Sequence, residues 1–165
     1  MSAQVTTGRE RRLAAAHWLL AASPDAEREV LRWKRWPVLA LPCGGLFAAV
    51  RLSADIVELC ANSTDQEVID VYLEGALVGG PVICDRAARW YYVLVPVSAS
   101  RYWQDRDAPC LGKGSILGVP RPGLTRADET RVFWSVPMDS PGCLVSPGAV
   151  SQLLFHYRYL AVFHG

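Results

Sequence analysis

A chain of 165 residues, 51% hydrophobic and 20% charged, carries enough apolar mass to bury a sizeable core, which excludes an intrinsically disordered class. Its 17 basic and 16 acidic residues leave a formal net charge of +1, so no molecule-wide field draws in nucleic acid or an anionic membrane, and only local patches remain to do so. Of the basic residues only Lys34 and Lys113 are lysines, a skew toward Arg that, with the abundance of Ala, points to a G+C-rich bacterial genome.

Residues 1–7 read as a flexible tail. Arg11-Arg12 and the apolar run to Ala22 have the outline of a secretion signal, but His17 interrupts the run and Glu10 precedes the arginine pair. Leu13, Ala16, His17, Leu20 and Ala21 instead share one stripe at helical spacing, which predicts an amphipathic helix from about Gly8 to Ala22. Ser23-Pro24 supplies a cap and a first-turn proline for a second helix, which Pro37 stops because the residue before proline avoids the helical basin. Strands follow over Val38 to Leu41 and Leu46 to Leu52, separated by the turn Pro42-Cys43-Gly44-Gly45. Ser53 caps a helix to about Asn62, and Thr64-Asp65-Gln66-Glu67 reads as a capping box opening another that ends near Gly79-Gly80.

Pro81 to Cys84 and Trp90 to Val97, the latter rich in aromatic and β-branched residues, predict two strands joined as a hairpin through Asp85-Arg86-Ala87-Ala88. Beyond Ser98 come a helical turn at Ala99 to Trp103, a strand at Ser115 to Val119, a polar loop at Arg121 to Thr130 and a strand at Arg131 to Val136. Ser146-Pro147 opens a last helix through Val150, Leu153, Leu154 and Tyr157. No repeat or linker divides residues 1–165, and no run approaches a membrane span. The expectation is one α+β domain with a mixed, mainly antiparallel sheet, N-terminal helices and a C-terminal helix.

Cys43, Cys60, Cys84, Cys110 and Cys143 are far apart and odd in number, the pattern of reduced thiols in a cytoplasmic protein acting as small buried apolar residues. His17, His156 and His164 have no metal-ligand spacing to each other or to any Cys, so neither a metal nor a cofactor is expected. Leu111-Gly112-Lys113-Gly114-Ser115 has the flavour of a phosphate loop, but the full G-x-x-x-x-G-K-[ST] pattern is not met and a turn into a strand fits better.

Arg9, Arg11, Arg12, Arg28, Arg32, Lys34 and Arg35 crowd the first two helices, with Glu10, Asp25, Glu27 and Glu29 offsetting them. Trp33 and Trp36 sit among these charges as candidate interaction residues, although two core-facing Trp beside solvated charges are the preferred reading, because buried aromatic anchors dominate small cores. The C-terminal run from Leu153 to Gly165 is unusually aromatic for a chain end, and Phe155, Tyr157, Tyr159 and Phe163 either complete the core or form a surface for a second copy or another protein.

The order of elements, the segment Ser23-Pro24-Asp25 through Trp33-Lys34-Arg35-Trp36-Pro37, and Leu41-Pro42-Cys43-Gly44 at the entry to a strand resemble the primase-polymerase domain of actinobacterial and mobile-element replication proteins, a branch of the archaeo-eukaryotic primase superfamily. The likeness runs from about Ser23 to Ser146. In that family a strand carries an hhhDhD pair of acids for two divalent ions; here Ala49 and Arg51 stand at those positions. The family's phosphate-holding histidine is replaced by Trp90 in Ala88-Arg89-Trp90, and Ala108 to Gly114 lacks the third acid, with Asp105 and Asp107 upstream.

The resemblance thus implies a catalytically inactive binding or regulatory module. Arg51, Arg89 and Lys113 would line what is left of the cleft and hold a nucleotide, a nucleic-acid phosphate or a protein partner. A homodimeric adaptor is one alternative. A small enzyme using Cys43 or Cys110 with His17 or His156 is the other.

Overall fold

The computed structural model describes residues 7–164. The tail expected over residues 1–7 therefore lies outside the described residues except for Thr7, which caps helix α1, Gly8–Leu20, through reciprocal hydrogen bonds with Glu10. Helix α2, Ala26–Arg35, is capped by Asp25, whose carboxylate accepts the Arg28 N–H, rather than by Ser23. The Ser23 hydroxyl accepts the Asp25 N–H instead, and the same device recurs at Ser63 and Asp65. There Asp65, not Thr64, caps α4, Gln66–Ala76, accepting from the Glu67 and Val68 N–H groups, so the expected capping box does not form. A carboxylate at the positive end of the helix dipole outcompetes a hydroxyl for that place. Between them α3, Ala54–Ala61, starts at the Ser53 cap and ends on Asn62 in the left-handed region, φ 52°.

Strands β1, Val38–Pro42, and β2, Ala48–Ser53, are consecutive yet belong to different sheets. Among the described residues β1 pairs only with β6, Ile116–Pro120, as a two-stranded antiparallel ribbon. β2 lies inside a five-stranded sheet of order β5-β2-β4-β3-β7, where β3 is Val82–Asp85, β4 Trp90–Val95, β5 Cys110–Leu111 and β7 Val132–Val136. Every pairing among the described residues is antiparallel. The β3–β4 hairpin forms as its sequence indicates. The short helix α5, Ala99–Tyr102, and a 3₁₀ turn at Arg126–Asp128 punctuate the second half, and α6, Pro147–His164, closes it.

Strand alternation gives the large sheet two buried faces. On one, Val50, Leu52, Val93, Tyr91 and Phe133 meet α3, α4 and α6 through Val57, Leu73 and Leu154. On the other, Ala49, Ile83, Leu94 and Trp134 meet α1, α2 and the ribbon through Leu19, Trp33, Leu41 and Val119. The result is a single three-layer α+β domain with a core on each side of the sheet. Two turns fasten the ribbon to the sheet. The Cys43 N–H donates to the Ser115 carbonyl, and Gly44, φ 96°, lies so close to Lys113 that a Cβ there would stand 2.6 Å from its backbone nitrogen.

Candidate functional site

The second face of the sheet is covered at its centre and open toward the Ser53 end of β2. Ala49 pairs with Leu94 under the ribbon layer and is fully buried, whereas Arg51, two residues on, pairs with Tyr92 at the margin of the cover. The Arg51 guanidinium lies over the Trp90 ring, 4.2 Å from its centre. Its Nε is buried without a hydrogen-bond partner, and no carboxylate pairs with Arg51 among the described residues. Trp90 in turn pairs with Asp85 of β3, and Asp85 is held by Arg131 through Nε and Nη2 at 3.0 and 3.4 Å. Burial, and then the Asp85 carboxylate, push the Tyr92 hydroxyl above its ordinary value, while Arg51 and Arg131 act the other way. The half-buried aromatic pair Trp90 and Tyr92 therefore flanks a cation that has no ion pair among the described residues, the nearby Asp85 being held by Arg131.

The residues expected to share this cleft separate. Arg89, held at φ 62° by the hairpin, turns to α3 and binds Glu58 at 2.7 and 2.8 Å and Asp55 at 2.8 Å. Lys113 follows β5 in the turn packed on Gly44; running antiparallel to β2, it is offset from Arg51 by four residues, about 13 Å of strand. Asp105 and Asp107, the carboxylates nearest the third motif, both bind Arg158 of α6, at 2.6 to 3.1 Å. No group of three or more His, Cys, Asp or Glu among the described residues is arranged to hold a metal ion.

The interaction residues also divide. Trp33 is buried at 6% exposure, its indole N–H directed to the Val119 carbonyl at 3.4 Å, while Trp36 is exposed. On α6, Tyr157 packs against the core, but Phe155, Tyr159, Val162 and Phe163 face outward, Tyr159 and Phe163 with ring centres 4.9 Å apart. Their spacing of four, three and one places them on one side of the helix. Of the candidate thiols, Cys43 is buried and pushed up to about 11 by desolvation, then by Cys110, which burial also raises. His17 and His156 are both exposed.

One constellation escaped the sequence reading. Asp70 is buried on α4, where its carboxylate accepts from the Ser135 hydroxyl at 2.6 Å, Gln66 Nε2 at 2.8 Å and Arg126 Nη1 at 3.2 Å. Gln66 also reaches the Tyr91 hydroxyl, and this network backs a cavity of ≈ 220 Å³ whose lining includes Thr64, Cys84 and Arg86. The available signal was a charged residue on the inward stripe Gln66, Ile69, Asp70, Leu73 and Leu77.

Comparison with family models, curated proteins and solved structures returns no match, so the likeness to primase-polymerase domains rests on the residues of this chain alone. No helix among the described residues is long and apolar enough to cross a membrane.

Proposed function

We propose that the chain is a catalytically inactive, primase-polymerase-like domain that serves as a binding module, with Arg51 and its aromatic neighbours reading the phosphate of a nucleotide or of single-stranded nucleic acid. The observation that carries this reading is the pair of positions on β2 where the family keeps its metal-binding acids. Ala49 is sealed at 0% exposure, and Arg51 lies on Trp90 without an ion pair among the described residues. Two-metal phosphoryl transfer requires carboxylates that hold ions roughly 3.5–4 Å apart. A guanidinium there repels such ions and attracts a phosphate, while Trp90 and Tyr92 offer ring faces to a base.

Calorimetric titration with a nucleoside triphosphate and with a short single strand, each with and without manganese, tests the proposal. Binding is expected without metal, weakened about tenfold or more by Arg51→Ala, since hydrogen bonds to charged groups contribute about 1.5–3 kcal/mol. Metal-dependent binding or nucleotide incorporation would restore the polymerase reading. Absence of binding to both ligands would remove Arg51 as a phosphate reader.

A second reading, a self-associating adaptor, is favoured by the outward aromatic face of α6. Sedimentation equilibrium decides it: a dimer that Tyr159→Glu dissociates supports the adaptor, and a monomer at all concentrations opposes it.

A further inference from the structure

The balanced charge count of the first two helices hides a segregation in space. Between α1, α2 and the loop after β6 lies a cavity of ≈ 430 Å³ with a floor of Ala16, Leu20, Val30 and Trp33. Its rim carries Arg9, Arg12, Lys34 and Arg121, and no acidic residue lines it. Three of the four acids on these helices are engaged elsewhere. Glu10 binds the Thr7 N–H, Asp25 caps α2, Glu29 pairs with Arg32, and Asp139 pairs with Arg11. Glu27 stands in the first turn of α2, about two turns from Lys34. None of the four rim cations has an ion pair among the described residues. Leu13, 59% exposed, is left at the mouth as an apolar contact in want of cover.

We propose that this groove docks an acidic amphipathic helix of a protein partner, its apolar residues at i, i+3, i+4 and i+7 on the aliphatic floor and its carboxylates on the four rim cations. A concave apolar trough with a cationic border matches helix-in-groove recognition, in which the apolar stripe supplies contact area and the charges fix orientation. A single strand fits less well, because its binding draws on several exposed rings for stacking. Of the two rings in the lining, Trp33 is buried and directs its N–H to Val119, which leaves the exposed His17 imidazole alone for stacking. A bilayer surface is flat on this scale and would leave the floor uncovered. The inference is independent of the Arg51 site, since Arg51, Trp90 and Tyr92 do not line this cavity.

Fluorescence anisotropy with a labelled helical peptide carrying Leu at i, i+3, i+4 and i+7 and Glu at the flanking positions provides the test. Saturable binding is expected, weakened about tenfold or more by the double change Arg12→Glu, Arg121→Glu and reduced by Leu13→Ser. Arg28→Glu, the same charge reversal on α2 outside the groove, and Arg51→Ala should leave the affinity unchanged. All of these except the half-buried Arg51 are exposed, so loss of fold does not confound the result. Equal weakening by Arg28→Glu would reduce the effect to bulk charge and overturn the proposal. So would failure of the Glu peptide to saturate, or groove-dependent binding of an oligothymidylate or of phosphatidylglycerol vesicles in its place.

Discussion

Replacing Asp70 by alanine should destabilise the fold by about 3 kcal/mol. The side chain is 8% exposed and accepts from Ser135, Gln66 and Arg126. Hydrogen bonds to a charged group contribute about 1.5 kcal/mol each at the lower end, and the two neutral donors, Ser135 and Gln66, account for the total. The Arg126 contribution is discounted because its side chain is 40% exposed and water screens it. Alanine also strands the Ser135 hydroxyl, 93% buried, without its acceptor. For a chain of this length the loss corresponds to a fall in Tm of about 6–12 °C, at roughly 2–4 °C per kcal/mol. Urea unfolding monitored by tryptophan fluorescence at neutral pH gives the free energy, and differential scanning fluorimetry the midpoint. Ser135→Ala, which removes one donor and leaves the carboxylate its other two, should cost half the Asp70→Ala loss, about 1.5 kcal/mol. Asp70→Ala within about 0.5 kcal/mol of the wild type, the range of an ordinary surface change, would refute the reasoning and place the carboxylate in solvent.

Alkali should weaken the fold through its buried thiols. Cys43 and Cys84 are pushed from 9.0 to about 11 by burial, so the folded state holds its protons longer than the unfolded chain. Their contribution is complete below pH 9 and is lost as pH rises toward 11, by about 1 kcal/mol per thiol near pH 10, which urea titrations at successive pH values would register. Iodoacetamide at neutral pH should reach exposed Cys143 first and Cys43 among the last; mass mapping that finds Cys43 alkylated early would contradict the burial assigned to it. Gly44→Ala combines φ 96° with a Cβ 2.6 Å from the Lys113 backbone. It should cost about 2 kcal/mol or more on urea unfolding by forcing the two turns apart. Leu154→Ala, at the buried side of α6, should cost about 3 kcal/mol, whereas Phe163→Glu on the outward side should leave Tm within a degree or so of wild type.

Local punctuation made much of the element order legible. Ser53 ahead of α3, Asn62 behind it, Pro37 after α2 and Pro147 at the head of α6 each act within a turn of chain, so their neighbours in sequence suffice to read them. Competition between adjacent polar residues was harder to read, since Ser23 and Asp25, or Thr64 and Asp65, offer the same helix end two acceptors. The candidate site was legible only in part. Alternation along β2 sets Ala49 and Arg51 on one face, but the side to which Arg89 would turn depended on Asp55 and Glu58, 34 and 31 residues away.

Residue type and short spacing thus carry the α+β class, the Ser53 and Pro147 helix starts, the β3–β4 hairpin and the absence of acids at positions 49 and 51. Tertiary structure alone decided that β1 leaves its neighbour β2 to pair with β6, and that Asp70 finds Ser135 sixty-five residues on. It also decided that the nearly balanced charges of α1 and α2 separate in space and leave a groove lined by cations and no acid. Strand partners and charge neighbours are set by which distant segments bury their apolar faces together, and no window of local sequence contains both members of such a pair.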